Sequence, residues 1–245
     1  MQQIRFFLPG PTYVPQQARQ ALTRSSLGHR SPEFKRLYAS LSPRLQQVLR
    51  TREDVLILTG SSTLAMESAV VSVVRSSVLN LTCGAFSERW TDICLAHGLE
   101  ADRVAVPWGQ GVDPELVRQA LRRKPYEAVT LVHNETSTGV ISPLEEIAGV
   151  VREESDALLL VDAVSSLGGA RVETDAWGLD LVLAGLQKAL ALPPGISLCS
   201  LSERAAQRAG AVPQRGFYTD LLRYRKQHRA GGTITTPAIP QLWAL

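Results

Sequence analysis

The sequence predicts a three-layer α/β fold in which helices cover both faces of a seven-stranded, mostly parallel sheet. Seven short apolar runs recur along the 245 residues, and helical patterns separate most of them. Such alternation is typical of βαβ units, whose parallel strands are buried on both faces. Hydrophobic residues make up 44% of the chain and charged residues 20%, which provides enough apolar surface for one large core.

Residues 1–30 are predicted to form an N-terminal arm, and residues 31–245 the folded domain. Within the arm, the segment from Leu8 to Thr12 cannot continue a helix or a central strand, because its two prolines lack a backbone N–H and fix their own backbone. The domain opens with an amphipathic helix, for which Ser31 is the predicted cap and Pro32 the first-turn proline.

The predicted strands share a length of five or six residues and an apolar composition. They cover residues 54–59, 77–82, 102–106, 127–132, 157–161, 179–183 and 196–200. Helical patterns cover residues 62–74, 86–97, 114–123 and 143–153. The last connection, residues 184–195, is too short for a crossover helix, so the last strand is predicted to run antiparallel.

Polar or glycine-containing turns follow four of the predicted strands. These turns are Gly60-Ser61-Ser62-Thr63, His133 to Gly139, Asp162 to Ser166, and Ala184 to Lys188. Ligands of open α/β sheets bind outside the carboxyl ends of the strands. If the sheet is parallel, all four turns meet at one edge, where a binding site is expected.

Three features of these turns indicate a specific chemistry, although each has a simpler alternative. Ser61 to Thr63 offer free amides and hydroxyls to an anion, or form an ordinary helix cap. Asp162 follows four apolar residues, where a carboxylate needs a cation or several donors, unless it lies in a surface turn. Lys188 lies among apolar residues and either reaches solvent or is a desolvated nucleophile. Together, an anion site, a buried carboxylate and a desolvated lysine suit pyridoxal 5'-phosphate (PLP).

Charge and composition exclude several other classes of protein. The net charge is only +3, with the basic residues scattered, so no nucleic-acid partner is expected. The histidines lack metal-ligand spacing, so no metal is expected. The three cysteines lack C-x-x-C spacing, which argues against a disulfide framework or a cysteine-rich zinc site. The opening residues lack the pattern of a signal peptide. The apolar stretch at residues 65–81 is broken by Glu67 and Arg75, so it is not a membrane span. We therefore expect a cytoplasmic protein with no membrane partner.

Several sequence blocks together resemble one known family. They are Asp162-Ala-Val-Ser-Ser-Leu-Gly-Gly, Gly185-Leu-Gln-Lys188-Ala-Leu-Ala-Leu-Pro-Pro-Gly195, His133-Asn-Glu-Thr-Ser-Thr-Gly139, Leu8-Pro-Gly-Pro-Thr12, Gly28-His-Arg-Ser-Pro-Glu-Phe34 and Thr236-Pro-Ala-Ile-Pro240. The chain resembles, along its whole length, the class V aminotransferases of PLP fold type I. It is most similar to the alanine–glyoxylate, serine–glyoxylate and serine–pyruvate group.

The resemblance implies a role for each candidate site residue. Lys188 is implied to bind PLP covalently and to move the substrate proton, and Asp162 to hold the pyridine nitrogen. Val164 and Phe86 are implied to pack on the two ring faces, with Thr136 near the ring oxygen. The implied phosphate site consists of Ser61, Ser62, Thr63 and Gln187, completed by Thr235 from the neighbouring subunit of a homodimer.

The sequence departs from the family pattern at three points. Ser62 replaces a glycine of the phosphate site, and Leu186 replaces a serine. The residues after Thr233 look like the opening of a helix, so the C-terminal small domain of the family is expected to be missing. Arg215 or Arg223 is then the candidate replacement for the arginine with which that domain binds the substrate carboxylate.

The resemblance implies a PLP-dependent transaminase that moves an amino group from a small amino acid, alanine or serine, to a 2-oxo acid, glyoxylate or pyruvate. Alternatives within the family are 2-aminoethylphosphonate transaminase and cysteine desulfurase. The latter is disfavoured because Cys83 and Cys94 lie in strand and helix patterns. An alternative of another class is a truncated PLP-binding or dimerisation module without turnover. A nucleotide-binding α/β protein is disfavoured by the lack of a G-x-G-x-x-G or P-loop motif.

Overall fold

A seven-stranded sheet forms the centre of the chain, which a computed structural model describes over residues 6–245. Its strands are β1 (Asp54–Thr59), β2 (Ser77–Thr82), β3 (Glu100–Ala105), β4 (Ala128–Val132), β7 (Leu158–Asp162), β8 (Leu181–Gly185) and β9 (Ile196–Leu201). A separate two-stranded ribbon consists of β5 (Asn134–Glu135) and β6 (Val140–Ile141). The spatial order of the large sheet is β1-β9-β8-β7-β4-β2-β3.

Six of the seven strands of the large sheet point the same way. The neighbours from β8 through β7, β4 and β2 to β3 pair in parallel. Strand β9 is antiparallel to both β8 and β1, which makes β1 parallel to the rest. The predicted antiparallel last strand is therefore confirmed, because the short connection from β8 to β9 does not cross the sheet.

Helices cover both faces of this sheet. They are α1 (Gln16–Leu22), α2 (Pro32–Leu49), α3 (Ser62–Val73), α4 (Ala85–Ala96), α5 (Pro114–Arg123), α6 (Leu144–Glu154), α7 (Glu203–Gly210), α8 (Leu221–Arg229) and α9 (Ile239–Ala244). The predicted cap of α2 is confirmed, since the Ser31 hydroxyl accepts from the Phe34 N–H at 3.2 Å. Helix α1 lies inside the predicted arm and packs against α9.

Alternate residues along the strands pack into two separate cores. Val55 and Ile57 of β1 belong to a core that includes Phe34 of α2. Leu56 and Leu58 of the same strand belong to a second core with α3, α4, α7 and α8. This alternation confirms the predicted three-layer fold, because successive side chains of a strand point to opposite faces.

The topology brings several chain turns to one sheet edge. Helix α3 begins three residues after β1 ends, and α4 begins three residues after β2. The turns after β4, β7 and β8 reach the same edge, because these strands run parallel to β1 and β2. Within residues 6–245, the helices are too short or too polar to span a lipid bilayer.

Candidate active site

A cavity of about 340 Å³ opens at the carboxyl edge of the sheet. Nine of the ten predicted site residues line it, and these are Ser61, Ser62, Thr63, Phe86, Thr136, Asp162, Val164, Gln187 and Lys188. The tenth, Thr235, does not line the cavity of this chain. Residues from four separate turns therefore converge because the parallel strands end at a common edge.

Asp162 is the buried carboxylate of the cavity. It is the last residue of β7 and is 5% exposed. Burial raises its pKa to about 6, against the lowering effects of the Val164 N–H and of the charges on Arg89 and Lys188. The Val164 N–H donates to Asp162 Oδ1 at 2.8 Å. At pH 7 the side chain is thus an ionised group that is held in a weakly solvating site and needs a cationic partner.

Lys188 is the candidate nucleophile and lies in the turn after β8. Burial lowers the pKa of its ammonium, while the nearby charge of Asp162 raises it. Its Nζ donates to the carbonyl of Pro9 at 2.9 Å. A lowered pKa makes the neutral, nucleophilic amine more available at neutral pH.

The start of α3 has the properties of an anion site. Ser61 is the N-cap residue, but its side chain does not cap the helix. The Ser62 hydroxyl oxygen is buried without a hydrogen-bond partner in the described chain. Ser62 is a helical residue without a positive φ, so replacing the family's glycine there costs no backbone strain. Free amides, the helix dipole and an unpartnered hydroxyl together favour a bound anion.

Glu135 fixes the start of α4, on which Phe86 lies. Its carboxylate is fully buried and accepts from the Ser87 N–H at 2.9 Å and the Phe86 N–H at 3.3 Å. It also accepts from the Ser137 hydroxyl at 2.7 Å. Burial would raise the pKa of this carboxyl, but these hydrogen bonds hold it below its usual range. Gly84 permits the approach, since a Cβ there would lie 2.5 Å from the Glu135 side chain.

Replacing Glu135 with alanine is expected to lower the free energy of unfolding by about 2–4 kcal/mol, because several buried donors lose their acceptor. Urea denaturation measures this change. Glu146→Ala, on the exposed side of α6, is the matched control and should change the stability by less than about 0.5 kcal/mol. A Glu135→Ala variant as stable as this control would show that the carboxylate does not anchor α4.

The arm is attached to the turn that carries Lys188. The Thr12 N–H donates to the Gln187 carbonyl at 2.9 Å, and the Thr12 hydroxyl donates to the Lys188 carbonyl at 2.8 Å. Gly10 and Pro11 consequently form part of the cavity lining. A Cβ at position 10 would lie 2.8 Å from Cδ of Lys188, and Gly10 has a φ of +141°. The arm therefore approaches the lysine as closely as a glycine allows.

The family model for class-V aminotransferases matches residues 15–245. The chain belongs to the class-V aminotransferase family. It is 39% identical to a protein named soluble hydrogenase, small subunit, from Synechococcus sp. (strain PCC 6716), over 97% of this chain and 63% of that protein. It is 36% identical to the L-aspartate–glyoxylate aminotransferase of Paracoccus denitrificans, over 95% of this chain and 61% of that enzyme.

Solved structures agree with this membership. The alanine–glyoxylate aminotransferase of Nostoc sp. superposes with a TM-score of 0.92 at 32% identity, covering 97% of this chain and 64% of that one. The chain spans 63% of the Synechococcus relative's length. Membership and the superposition confirm the predicted PLP fold type I, with its mostly parallel seven-stranded sheet.

PLP is the cofactor of class-V aminotransferases, and the cavity fits it. The unpartnered hydroxyl of Ser62 at the start of α3 suits the phosphate. The buried carboxylate of Asp162 suits a protonated ring nitrogen, and the depressed pKa of Lys188 suits bonding to the aldehyde carbon. These three features are complementary to three different parts of the cofactor.

The structure does not bring either predicted substitute for a carboxylate-binding arginine to the cavity of this chain. Arg215 binds Asp220 at 3.0 Å and a backbone carbonyl at 2.9 Å, so its donors stabilise its own loop. Arg223 lies 4.4 Å from the centroid of the Phe217 ring. Neither arginine lines the cavity. The arginine that does so is Arg89, three residues after Phe86 on α4, a spacing that places both on one helix face.

Proposed function

We propose that this chain forms the cofactor-binding part of a PLP-dependent transaminase. The proposed reaction moves an amino group from a small amino acid, alanine or serine, to a 2-oxo acid, glyoxylate or pyruvate. The observation that most directly supports this proposal is that Lys188, Asp162 and the N-terminus of α3 line the same cavity. The names of the Paracoccus and Nostoc relatives share glyoxylate and differ in the amino donor, which supports a glyoxylate-like acceptor.

Lys188, Asp162, Phe86 and Val164 have distinct roles in this function. Bound PLP supplies an electron sink for the carbon that loses its proton. Lys188 takes and returns that proton at Nζ, because its lowered pKa brings the neutral amine closer to physiological pH. Asp162, ionised at pH 7, holds the ring nitrogen protonated. Phe86 and Val164 orient the ring and exclude water from it.

The test is an absorbance spectrum of the purified protein with PLP, followed by borohydride reduction and peptide mapping. We expect visible absorbance and a reduced PLP label on Lys188, and we expect the label to be lost when alanine or serine is added before the borohydride. Loss of the label only when 2-aminoethylphosphonate is added first would support that alternative transaminase instead. A label that no amino donor prevents would indicate a PLP-binding module without turnover. Cysteine desulfurase lacks support, since none of the buried cysteines of the described chain lines the cavity.

Gly10→Ala is expected to reduce PLP attachment at Lys188 by about tenfold, because the new methyl group would displace the end of the Lys188 side chain, including Nζ, from its present position. Borohydride labelling at limiting PLP measures this. Gly109→Ala is the matched control, since Gly109 also has a positive φ, +92°, but nothing lies within 4 Å of its added Cβ. Equal labelling of the Gly10→Ala and Gly109→Ala variants would contradict a steric role for Gly10.

A homodimer with shared sites is part of the proposal. Residues 31–245 would form the cofactor-binding large domain and residues 1–30 its arm, with Thr235 reaching the phosphate bound by a second copy. PLP binding should then promote dimerisation, because a ligand shared across an interface stabilises the assembled form. Sedimentation with and without PLP measures the coupling. A fully PLP-loaded monomer would contradict the shared site.

A further inference from the structure

The cavity contains a cation that the predicted roles leave unused. Its charged lining within residues 6–245 consists of Arg89, Asp162 and Lys188. Arg89 is half-buried on α4, and it forms no ion pair in this part of the chain, unlike Arg215 with Asp220. A half-buried arginine without a carboxylate partner keeps most of its charge and donors available to the cavity.

Arg89 joins two helices that the site needs in fixed positions. Its Nη1 donates to the Thr63 hydroxyl at 3.3 Å, and Thr63 lies in the first turn of α3. Its guanidinium carbon lies 4.8 Å from the centroid of the Phe86 ring, within the range of a cation–π interaction. One side chain thus contacts both the proposed phosphate site and the proposed ring-stacking residue.

Arg89 is also a permanent charge near a carboxylate that burial disfavours. The positive charges of Arg89 and Lys188 both favour the ionised form of Asp162, whereas the negative charge of the buried Glu135 disfavours it. The charge of Lys188 is variable, because its amine must be neutral to act as a nucleophile or a base. The guanidinium of Arg89 stays protonated at any physiological pH. Of the two cations that line the cavity within residues 6–245, Arg89 is therefore the one whose charge favours ionised Asp162 throughout a reaction cycle, alongside the permanent hydrogen bond from the Val164 N–H.

We infer that Arg89 is a positioning residue of this cavity. It holds Thr63 and Phe86 in fixed relative positions and adds a constant positive charge to the cavity that Asp162 also lines. The inference rests on the proposed function for the identity of the bound cofactor. The charge relation between Arg89 and Asp162 is a property of the cofactor-free protein and is testable without PLP.

The first experiment titrates Asp162 by carboxyl ¹³C NMR in the cofactor-free protein, with Asp162→Asn identifying the resonance. Arg89→Gln is expected to raise the titration midpoint by at least about 0.5 pH unit, because a neutral amide replaces the charge. Arg89→Lys keeps a positive charge and should titrate like the wild type. Arg103→Gln, which removes an exposed arginine on β3, is the matched control and should leave the midpoint unchanged. An unchanged midpoint in Arg89→Gln would overturn the inference.

The second experiment measures PLP affinity by fluorescence quenching. Arg89→Gln is expected to raise the dissociation constant about tenfold, and Arg89→Lys at least about threefold, because an ammonium lacks the planar fork that reaches Thr63 while lying on Phe86. Circular dichroism establishes that each variant is folded. If Arg89→Gln is unfolded, wild-type affinity in Arg89→Lys would overturn the inference. Failure of the wild type to bind PLP would refute the proposed function, while the NMR titration would still decide the role of Arg89.

Discussion

Replacing Lys188 with alanine is expected to abolish covalent attachment of PLP and to slow transamination on the order of 10⁴-fold or more. Both effects have one cause, since the variant loses the amine that bonds to the cofactor and transfers the substrate proton. A positioned acid–base group alone contributes about 10²–10⁴-fold. Single-turnover absorbance with alanine or serine measures the rate, and borohydride labelling measures the attachment.

Two further variants separate this role from a loss of charge or stability. Lys188→Arg keeps a positive charge, but guanidinium is too weakly nucleophilic and too basic to replace the amine, so it should be as inactive as the alanine variant. Lys226→Ala removes an exposed lysine of α8 and should behave like the wild type. A small primary amine in solution should partly restore turnover to Lys188→Ala. Turnover above about 1% of the wild-type rate in Lys188→Arg would contradict the assignment.

The convergence of the candidate residues was predictable because it depends on topology rather than on detailed packing. Once βαβ alternation indicates parallel strands, the turns after β1, β4, β7 and β8 must share an edge. The antiparallel β9 followed from the length of one connection. The start of β3 was predicted two residues late, at 102 instead of Glu100, because this edge strand carries exposed polar residues and lacks a continuous apolar run.

Other parts of the site depend on tertiary contacts that leave no local pattern. Glu135 reaches across from β5 to the start of α4, and only the folded chain shows that two of its four hydrogen bonds come from there, while Ser137 donates the other two. The contact of Pro9 with Lys188 joins residues 179 positions apart. Arg89 had a weak local signal in its spacing from Phe86. Its proposed role depends on the cavity that it shares with Asp162, and these two residues are distant in the sequence.

Replacing Asp162 with asparagine is expected to reduce transamination by at least about 10³-fold while weakening PLP binding only about tenfold. The neutral amide accepts a hydrogen bond from the ring nitrogen but cannot stabilise its positive charge, so the loss is greatest when that charge assists removal of the proton. Loss of a charge-assisted hydrogen bond accounts for the smaller effect on affinity. Single-turnover rates and PLP titration measure the two quantities. Equal losses in both would indicate that Asp162 only binds the cofactor.

The same substitution should stabilise the cofactor-free protein at neutral pH. The pKa of Asp162 is about 6 in the folded chain, above the ordinary value of 3.8, so folding favours the protonated carboxyl. Folding stability from this group is complete at low pH and is lost as pH rises through about 4 to 6. Asparagine does not ionise. Asp162→Asn should therefore gain about 2–3 kcal/mol over the wild type between pH 4 and pH 7, since one pKa unit corresponds to about 1.4 kcal/mol.

Urea denaturation of the wild type and of Asp162→Asn at pH 4 and pH 7 tests this gain. The other titrating groups are the same in both proteins, so their contributions cancel in the difference. Asp220→Asn is the informative comparison, because Asp220 is also buried but accepts from the Leu222 N–H at 2.9 Å and pairs with Arg215 at 3.0 Å. Its loss should destabilise the chain at pH 7 by leaving the largely buried Arg215 unpaired. The two substitutions are expected to change the free energy of unfolding in opposite directions. This difference distinguishes a carboxylate whose partners the fold provides from one that lacks a full set of partners. If Asp162→Asn also destabilised the cofactor-free chain at pH 7, Asp162 would belong to the first kind, and its burial would no longer indicate a cationic ligand.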